Sequence, residues 1–595
     1  MLTLEVFRIM ENTMTKMKIQ TTSTTEESTS VLNGARILIE SLKKENVDTI
    51  FGYPGGAVLP IYEEIYDCKE ITHYLVRHEQ GAVHAAEGYA RVTGKPGVVL
   101  VTSGPGACNT VTGITNAYYD GYPIIVFTGQ VASSLIGNDA FQEADIVGIT
   151  RQCCKHNYLV KDVVDLPRII KEAFHIATTG KPGPVLIDLP KDVLVGKTEF
   201  VYPDTVRLPG YNPTYSGHPV QINKALGLLY EAERPIILSG GGVVSSDASE
   251  YLFKIAKKLD IPVANTLMGT GSFPGDDELS LGLTGMHGNY WANMAITNSD
   301  VLFAIGTRFS DRVTGCLDKY CPEAKIIHVD IDPTSISKNV RVDVPIVGHC
   351  ANVLEDLYNS IEESMIDKSS KLKEKWHQKV QEWKKVQVPE ANKTDKLSPR
   401  HVIQRIHELS KDRDPIIATE VGQHQMWSAQ LFKFRGPRRF VSSGGLGTMG
   451  FGFPSAMGAQ VAFPDRLVIN VAGDGSIQMN IQELATCVEY KIPVKVCILN
   501  NSYLGMVRQW QDRLYNRRFS HTNISGPDFV KVAEAYGATG FRVTKEEDID
   551  SMLLKAFDTE GPVFIEFVTE PEESVYPWVL AGDPISNILL SDDCC

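Results

Sequence analysis

Strand-sized apolar runs alternate with helix-like segments along most of this chain. In the helix-like segments apolar residues recur at i, i+3, i+4 and i+7, as at Ile481, Leu484, Ala485 and Val488. The apolar runs between them have the length of buried strands. Such alternation is typical of parallel sheets covered by helices, so we predict an α/β protein of doubly wound parallel sheets.

Two interruptions of this alternation predict three domains. Residues 202–219 are rich in Pro, Gly and Tyr, which indicates a linker, and residues 367–387 are rich in Lys, which indicates a solvated helix. Residues 21–30 are almost all Ser, Thr and Glu and predict a disordered tail. The predicted divisions are a tail at 1–31, a first domain at 32–195, a linker at 196–220, a central domain at 221–366, a connecting segment at 367–400, a third domain at 401–570 and a C-terminal tail at 571–595.

Each predicted domain contains several strands. The first has helices at 32–45 and 81–93. The predicted strands are 49–51, 72–76, 97–102, 123–128 and 184–188 in the first domain, 235–238, 263–265, 301–305 and 325–329 in the second, and 415–419, 439–441, 467–471, 494–499 and 563–567 in the third.

Composition excludes several classes of protein. The 595 residues carry 58 Lys and Arg against 72 Asp and Glu, a net charge of −14, so we expect neither nucleic acid nor an anionic membrane as a partner. No apolar run approaches the roughly 18 residues of a membrane span. The eleven cysteines form no Cys-x-x-Cys pair, which favours free thiols in a reducing compartment. Acidic residues in the first 31 positions argue against a transit peptide.

The third domain contains a candidate metal site. Gly473-Asp474-Gly475-Ser476 follows one apolar run, and Asn500-Asn501 follows the next, with an amphipathic segment between them. Strand–helix–strand order predicts parallel strands, whose carboxyl ends bind ligands in open α/β sheets. Alone, Gly-Asp-Gly is an ordinary turn. Paired with the Asn501 side chain, 27 residues after Asp474, this turn favours a Mg²⁺ ion whose coordination shell is completed by diphosphate oxygens.

This spacing resembles the thiamine-diphosphate signature. Together with Ser-Gly-Gly-Leu-Gly-Thr-Met-Gly-Phe-Gly at 443–452, it is similar to the catalytic subunits of the acetohydroxyacid synthase (acetolactate synthase) family, from about residue 32 to the C-terminus. The resemblance implies pyrimidine-binding, central FAD-binding and diphosphate-binding domains in the thiamine-diphosphate decarboxylase-like arrangement. It also implies thiamine diphosphate, Mg²⁺ and a non-redox, structural FAD as cofactors.

The resemblance assigns residues to thiamine diphosphate. Glu79, in Arg-His-Glu-Gln, corresponds to the glutamate that activates the cofactor; without the resemblance it would be a charge at a helix start. A carboxyl group in an apolar cleft can hydrogen-bond a ring nitrogen and favour the imino form that removes the C2 proton. Met449 would bend the cofactor, and the backbone carbonyl of Tyr503 would join Asp474 and Asn501 on the metal. The other implied contacts are Ser103, Gln142, Gln423, His424, Gly447, Thr448, Gly475 and Ser476.

The middle domain carries weaker signals for a nucleotide. Gly240-Gly241-Gly242 follows a predicted strand but is not Gly-x-Gly-x-x-Gly, and Asp330 through Asp332 end another strand, where a carboxylate can hold ribose hydroxyls. The resemblance specifies FAD. Its implied contacts are Lys181, where the family more often has Arg, and Arg207, Gly285, Met286, His287, Gly306, Thr307, Arg308, Asp330, Ile331 and Asp332.

The predicted function is that of a carboligase. The family condenses two pyruvate molecules to 2-acetolactate and carbon dioxide, or pyruvate and 2-oxobutyrate to 2-aceto-2-hydroxybutyrate, through the cofactor ylide and a hydroxyethyl intermediate. Arg312 would pair with substrate carboxylate through its planar fork, and Trp510 would restrict the second-substrate pocket. The alternatives are another thiamine-diphosphate 2-oxo acid decarboxylase, a flavin-dependent pyruvate oxidase, or a non-catalytic nucleotide-binding protein of this fold.

The resemblance also implies an assembly. Glu79 and Asp474 serving one cofactor belong to different subunits in this family, so a homodimer is the minimum active unit and a tetramer is also open. A small regulatory subunit is the implied protein partner. The sequence leaves open a plastid stroma, for a plastid-made protein, and a bacterial cytoplasm.

Overall fold

The computed structural model describes residues 30–389 and 394–591. Three six-stranded parallel sheets dominate the described part of the chain, each covered by helices. The predicted fold class, three α/β domains with doubly wound parallel sheets, is confirmed. Most of the predicted tail at 1–31 lies outside the described residues.

The first domain has the strand order β3-β2-β4-β5-β7-β6. Its strands are β1 (Val31–Asn33), β2 (Thr49–Tyr53), β3 (Thr72–Leu75), β4 (Gly97–Val101), β5 (Ile124–Gln130), β6 (His156–Leu159), β7 (Val185–Pro190) and β8 (Lys197–Glu199). Its helices are α1 (Gly34–Lys44), α2 (Leu59–Tyr66), α3 (Glu79–Thr93), α4 (Pro105–Cys108), α5 (Val111–Asp120), α6 (Ile146–Thr150), α7 (Leu166–Thr178) and α8 (Lys191–Val195). β1 and β8 pair antiparallel, so paired structure extends one residue before and four residues beyond the predicted limits of 32 and 195.

The central domain has the order β11-β10-β9-β12-β13-β14. Its strands are β9 (Pro235–Ser239), β10 (Val263–Asn265), β11 (Ser280–Leu283), β12 (Val301–Ile305), β13 (Lys325–Asp330) and β14 (Val344–Val347). Its helices are α9 (Pro219–Glu231), α10 (Gly241–Ser245), α11 (Ser249–Leu259), α12 (Tyr290–Thr297), α13 (Asp311–Thr314), α14 (Cys350–Asn359) and α15 (Glu363–Lys384).

The third domain has the order β16-β15-β17-β18-β20-β19. Its strands are β15 (Ile416–Thr419), β16 (Phe440–Ser442), β17 (Val468–Gly473), β18 (Lys495–Asn500), β19 (Thr539–Val543) and β20 (Val563–Val568). Its helices are α16 (Pro399–Ser410), α17 (Gln423–Leu431), α18 (Gly452–Ala462), α19 (Asp474–Ile477), α20 (Glu483–Glu489), α21 (Gly505–Leu514), α22 (Phe529–Tyr536) and α23 (Ile549–Asp558).

The first and third domains share one hydrophobic core. Val83 and Ala86 of α3 belong to the same buried cluster as Phe453 and Met457 of α18. Gly458 allows the close approach of these helices, because a Cβ added there would lie 1.8 Å from the carbonyl oxygen of Ala85. The helix that begins at Glu79 is therefore held by the third domain of its own chain.

Two segments are more closely packed than the sequence pattern suggests. The Lys-rich helix α15 buries Trp376 and Val380 against the central domain, and the fully buried Lys373 ammonium donates to Leu259 O at 2.6 Å and to Ser369 Oγ at 2.7 Å. The prediction of a solvated helix missed this apolar stripe. Within the C-terminal segment, Trp578 is buried and its backbone N–H donates to Leu589 O.

No helix in the described residues is long and apolar enough to cross a membrane.

Candidate active site

The predicted site residues cluster where each sheet changes its winding direction. In the first domain this switch lies between β2 and β4, in the central domain between β9 and β12, and in the third between β15 and β17. Loops at such a switch point diverge and leave a crevice outside the carboxyl ends of the strands, which is where open α/β sheets bind ligands. Three candidate binding crevices therefore follow from the topology.

The crevice of the third domain brings Asp474 and Asn501 together. Asp474 begins α19 directly after β17, and Asn501 follows β18, so both lie at carboxyl strand ends. Backbone amides of Asn501 and Ser502 hydrogen-bond to the Asp474 carboxylate, yet among the described residues its buried Oδ2 atom has no partner. The Asn501 side chain approaches Gln423 Oε1 at 3.5 Å, and its own Oδ1 accepts from Tyr503 N at 3.0 Å.

The donor set of this crevice fits a hard divalent cation. A buried carboxylate oxygen without a hydrogen-bond partner is costly, and a cation would compensate it. Burial raises the pKa of the Asp474 carboxyl to about 7 in the protein alone, and a bound cation would favour the charged form. The oxygens of Asp474, Asn501 and the Tyr503 backbone are of the type that Mg²⁺ prefers.

His424 lies beside the same turn. Its ring contacts the backbone of Gly473, since a Cβ added there would lie 3.0 Å from the imidazole. Burial lowers the pKa of His424 to about 3, so the ring is neutral at pH 7, and its Nε2 atom has no partner within the described residues. A neutral imidazole with an unused nitrogen can hydrogen-bond an anionic group without adding charge.

The turn that carries Met449 is fixed by buried polar side chains. Gly450 N and Phe453 N donate to the two oxygens of the Glu420 carboxylate at 2.8 and 2.9 Å. The amide of Asn480 donates to Gly450 O at 2.7 Å. The Met449 methyl group lies 3.9 Å from the Cβ position of Gly475, so this turn and the Asp474 turn are adjacent.

Glu79 belongs to a second cluster, in the crevice of the first domain. It is the first residue of α3, is 9% exposed, and its Oε2 accepts from Asn109 Nδ2 at 2.9 Å. Its Oε1 lies 3.3 Å from the Cβ position of Gly106, in α4, the short helix that follows Ser103. Gln142 packs against Gly104, which directly precedes that helix.

A cavity of about 720 Å³ lies between the three domains and extends from the central domain to the third. That volume falls in the range of small-molecule and cofactor sites. At one end it is lined by Gly447, Met449 and Trp510 and at the other by strand-end residues of the central domain. Predicted flavin contacts in the lining are Lys181, Met286, His287, Gly306, Thr307, Arg308, Asp330 and Ile331.

The central-domain end of the cavity has the features of a nucleotide site. Gly306 has φ of +59° and packs against Gly242 so closely that its Cβ would lie 2.5 Å from the Gly242 Cα, so neither position tolerates a side chain. Burial raises the pKa of Asp330 to about 6. Lys181 Nζ lies 3.8 Å from Asp332 Oδ2. Glycines at the turn and carboxylates at the next strand end fit the diphosphate and ribose of a dinucleotide.

Aromatic and cationic side chains meet at the wall between the two ends. The Arg312 guanidinium lies 5.9 Å from the Trp510 ring centroid, and Trp510 packs edge-on against Trp578 at 5.6 Å. Trp578 also stacks on His287 at 6.4 Å, and burial lowers the pKa of His287 to about 4. The C-terminal segment therefore contributes directly to this wall.

Several predicted residues lie outside the lining of this cavity. Glu79, Ser103 and Gln142 form their own cluster, and Arg207 lies in the segment between β8 and α9. Gln423, His424, Asp474, Gly475, Ser476 and Asn501 lie around the adjacent Asp474 crevice, while Gly285, Asp332 and Thr448 are chain neighbours of cavity-lining residues.

Sequence reasoning missed the residues that hold the loops in place. Glu420 could have been found as a carboxylate directly after a buried strand. Met268, which lines the cavity, belongs to no motif and gave no signal. Tyr119 and Asp120 line the cavity from the first domain. The sequence pattern did not predict their role, because it depends on contacts with other domains.

Comparisons with known proteins agree with this architecture. The thiamine pyrophosphate enzyme N-terminal TPP binding domain matches residues 32–149, the central domain 222–357 and the C-terminal TPP binding domain 420–567. The acetolactate synthase large subunit of Haemophilus influenzae is 48% identical over 565 residues, covering 94% of this chain and 98% of that protein. The isozyme 3 large subunit of Escherichia coli is 46% identical over 568 residues, with 94% and 99% coverage. A probable acetolactate synthase large subunit of Methanocaldococcus jannaschii is 50% identical over 568 residues, with 94% and 95% coverage.

The predicted resemblance is thereby confirmed, together with the expectation of a thiamine-diphosphate enzyme. With its three domains in the same order as the matched family descriptions, this chain belongs to the acetolactate synthase large-subunit family of thiamine pyrophosphate enzymes.

Proposed function

We propose that this protein condenses two molecules of pyruvate to 2-acetolactate and carbon dioxide, or pyruvate and 2-oxobutyrate to 2-aceto-2-hydroxybutyrate, as the first common step of branched-chain amino-acid synthesis. The observation that carries the proposal is the buried Oδ2 atom of Asp474, which has no partner in the described part of the chain and lies opposite Asn501 at the carboxyl ends of adjacent parallel strands. The large subunits of acetolactate synthase to which the chain is similar support the substrate class.

Asp474, Asn501 and the Tyr503 carbonyl would hold Mg²⁺, and oxygens of the cofactor diphosphate would supply further ligands. Thiamine diphosphate, when bound, supplies a nucleophilic carbon and an electron sink for loss of carbon dioxide. Gln423 and the neutral His424 would bind the diphosphate side. Glu79 would hold a proton at the pyrimidine nitrogen, and the fixed turn at Met449 would support the bent cofactor.

FAD is the cofactor we propose for the central-domain end of the cavity. The close Gly242–Gly306 approach and the Asp330 strand end support a dinucleotide there. The condensation transfers no net electrons, so the flavin would shape the cavity rather than exchange electrons.

The substrate would bind in the cavity beside the wall that separates its two ends. Arg312 can pair in bidentate fashion with a carboxylate. Its side chain is 60% exposed, and its contacts with Asp311 and Met286, at 3.7 and 3.8 Å, are long enough to be exchanged for a ligand. Trp510 would limit the volume available to the second 2-oxo acid. Lys181 would contribute to the flavin end, where its Nζ approaches Asp332.

We propose a homodimer or tetramer with a small regulatory subunit. Within the described residues, the Glu79 side chain hydrogen-bonds to Asn109 of its own domain and not to the residues around Asp474, which supports its acting, with Gln142, on the cofactor of a second copy. Phe141, beside Gln142, is 88% exposed, and such an apolar side chain favours an interface. The name "large subunit" of the relatives supports a smaller partner. A bacterial cytoplasm and a plastid stroma are both compatible with this function.

A product assay tests the proposal. Purified protein with thiamine diphosphate, Mg²⁺ and FAD should convert pyruvate to acetolactate, and added 2-oxobutyrate should divert product to the mixed acetohydroxy acid. Acetaldehyde as the sole product would indicate a decarboxylase. Oxygen uptake that matches turnover would indicate an oxidase, and either result would replace the proposal.

A further inference from the structure

The loop at 443–449 contains three glycines and carries Thr448 and Met449. Gly447 has φ of +71°, and Gly444 and Gly445 add further backbone freedom. Such a segment loses much conformational entropy when it becomes ordered. Something must therefore hold it if Met449 is to have one position before the cofactor binds.

A residue of the first domain provides that constraint. Asn116, on α5, is completely buried, and its Oδ1 atom accepts from Ser443 Oγ at 2.6 Å and from Thr448 Oγ1 at 2.9 Å. The Ser443 hydroxyl in turn accepts from Thr448 N at 2.9 Å. One amide oxygen thus holds both ends of the glycine-rich stretch.

The orientation of the Asn116 amide is itself fixed. Its Nδ2 atom donates to both oxygens of the buried Glu87 carboxylate, at 3.0 and 2.9 Å, so the amide oxygen must point towards the loop. The Arg91 guanidinium binds Glu87 at 2.6 Å and also pairs with Asp120. All polar atoms of Asn116 are therefore used.

Asp120 holds the middle of the same loop. Its carboxylate, at the end of α5, accepts from Gly444 N at 3.1 Å and from Gly445 N at 2.6 Å. Next to it, the Arg308 guanidinium donates to Tyr119 O at 2.6 Å. The loop of the third domain is thus attached to the first domain at four points.

We propose that Asn116 is a positioning residue for thiamine-diphosphate binding: it orders the loop at 443–449, and through it Thr448 and Met449, before the cofactor arrives. This inference rests on the proposed function for the role of Met449. It assigns to the first domain a contribution to the cofactor loop of its own chain, distinct from the role of Glu79, which we propose acts on the cofactor of a second copy.

The test is a double-mutant cycle with a matched control. Asn116→Ala and Ser443→Ala should each weaken thiamine-diphosphate binding roughly 10-fold, the range for a lost buried hydrogen bond. Because the two side chains act through one contact, the double variant should bind about as weakly as the weaker single variant. Binding is measured directly by tryptophan fluorescence with Mg²⁺ present, so the result does not depend on the reaction catalysed.

Ser442→Ala is the control. Ser442 is as buried as Ser443, but its hydroxyl bonds to Thr419 and Gln425 of its own domain. We expect its thiamine-diphosphate affinity to stay within about 2-fold of the parent, at a similar loss of thermal midpoint. FAD content should be unchanged in all variants.

If the losses of thiamine-diphosphate affinity in the two single variants multiply, to roughly 100-fold in the double variant, the proposal is overturned. If Asn116→Ala does not fold, equal weakening in Ser442→Ala and Ser443→Ala would overturn it as well. A parent protein that binds thiamine diphosphate but makes no acetolactate would refute the proposed function and leave this test intact.

Discussion

Glu79→Gln removes a proton-transfer group with little change of shape. In the structure Glu79 Oε2 accepts from Asn109 at 2.9 Å, and a glutamine carbonyl can accept the same bond. The residue begins α3 and is almost buried, so the helix and its contacts should survive. The amide cannot exchange a proton with the pyrimidine ring of the cofactor.

The expected size of the effect follows because the change keeps the hydrogen bond to Asn109 but removes proton transfer. Because the hydrogen bond to Asn109 is retained, we expect little change in thermal midpoint or in thiamine-diphosphate affinity. Loss of a general acid–base group costs about 10²- to 10⁴-fold in rate, or roughly 3–5 kcal/mol in activation free energy. The loss should appear in proton removal from the cofactor.

The assay is hydrogen–deuterium exchange at C2 of the bound cofactor, measured by NMR after acid quench, beside the rate of acetolactate formation. Glu63→Gln, an exposed change of the same chemistry in the first domain, is the control and should behave like the parent. Parental exchange in Glu79→Gln would refute the role of Glu79.

Four further outcomes are expected. Asp474→Ala should weaken Mg²⁺ and thiamine-diphosphate binding, with partial rescue by excess of both; unchanged half-saturation would contradict the metal site. Purified protein should contain one FAD per chain, and a non-reducible flavin analogue should support turnover; a requirement for reducible flavin would contradict the structural role. Trp510→Leu should lower the preference for 2-oxobutyrate roughly 10-fold in a competition assay. Burial raises the pKa of Asp188 from 3.8 to about 7, so the folded protein holds a proton there that the unfolded chain has released, and the stabilising contribution falls as pH rises through this window. The thermal midpoint of Asp188→Asn relative to the parent should therefore rise between about pH 4 and pH 7 and level off above pH 7, and a flat difference across this range would contradict this pKa.

The sequence predicted the strands that are buried on both sides. Strands such as Val301–Ile305 and Val263–Asn265 were predicted with the bounds that the structure has, because central parallel strands are continuous apolar runs. The strands His156–Leu159 and Thr539–Val543 are among those that were missed. Both lie at sheet edges and contain partly exposed or polar positions, so their pattern resembles that of a loop.

The same difference separates predictable from unpredictable site residues. Asp474 and Asn501 follow apolar strands directly, so the sequence predicts that they lie near each other. Asn116 and Asp120 lie in an ordinary helix, and their importance arises only when that helix meets a loop more than 300 residues away. Spacing along the chain does not predict such a contact.

The shared core of the first and third domains holds these distant contacts in one fixed geometry. The backbones of α3 and α18 approach so closely that Gly88 has no room for a Cβ, which would lie 2.0 Å from Ser455 O. Interiors at native density transmit such constraints because they compress little. The helix that places Glu79 and the loop that places Met449 are thus fixed relative to one rigid interdomain core. A chain built this way has its cofactor-binding side chains arranged before the cofactor arrives, so less of the binding free energy is spent on ordering them.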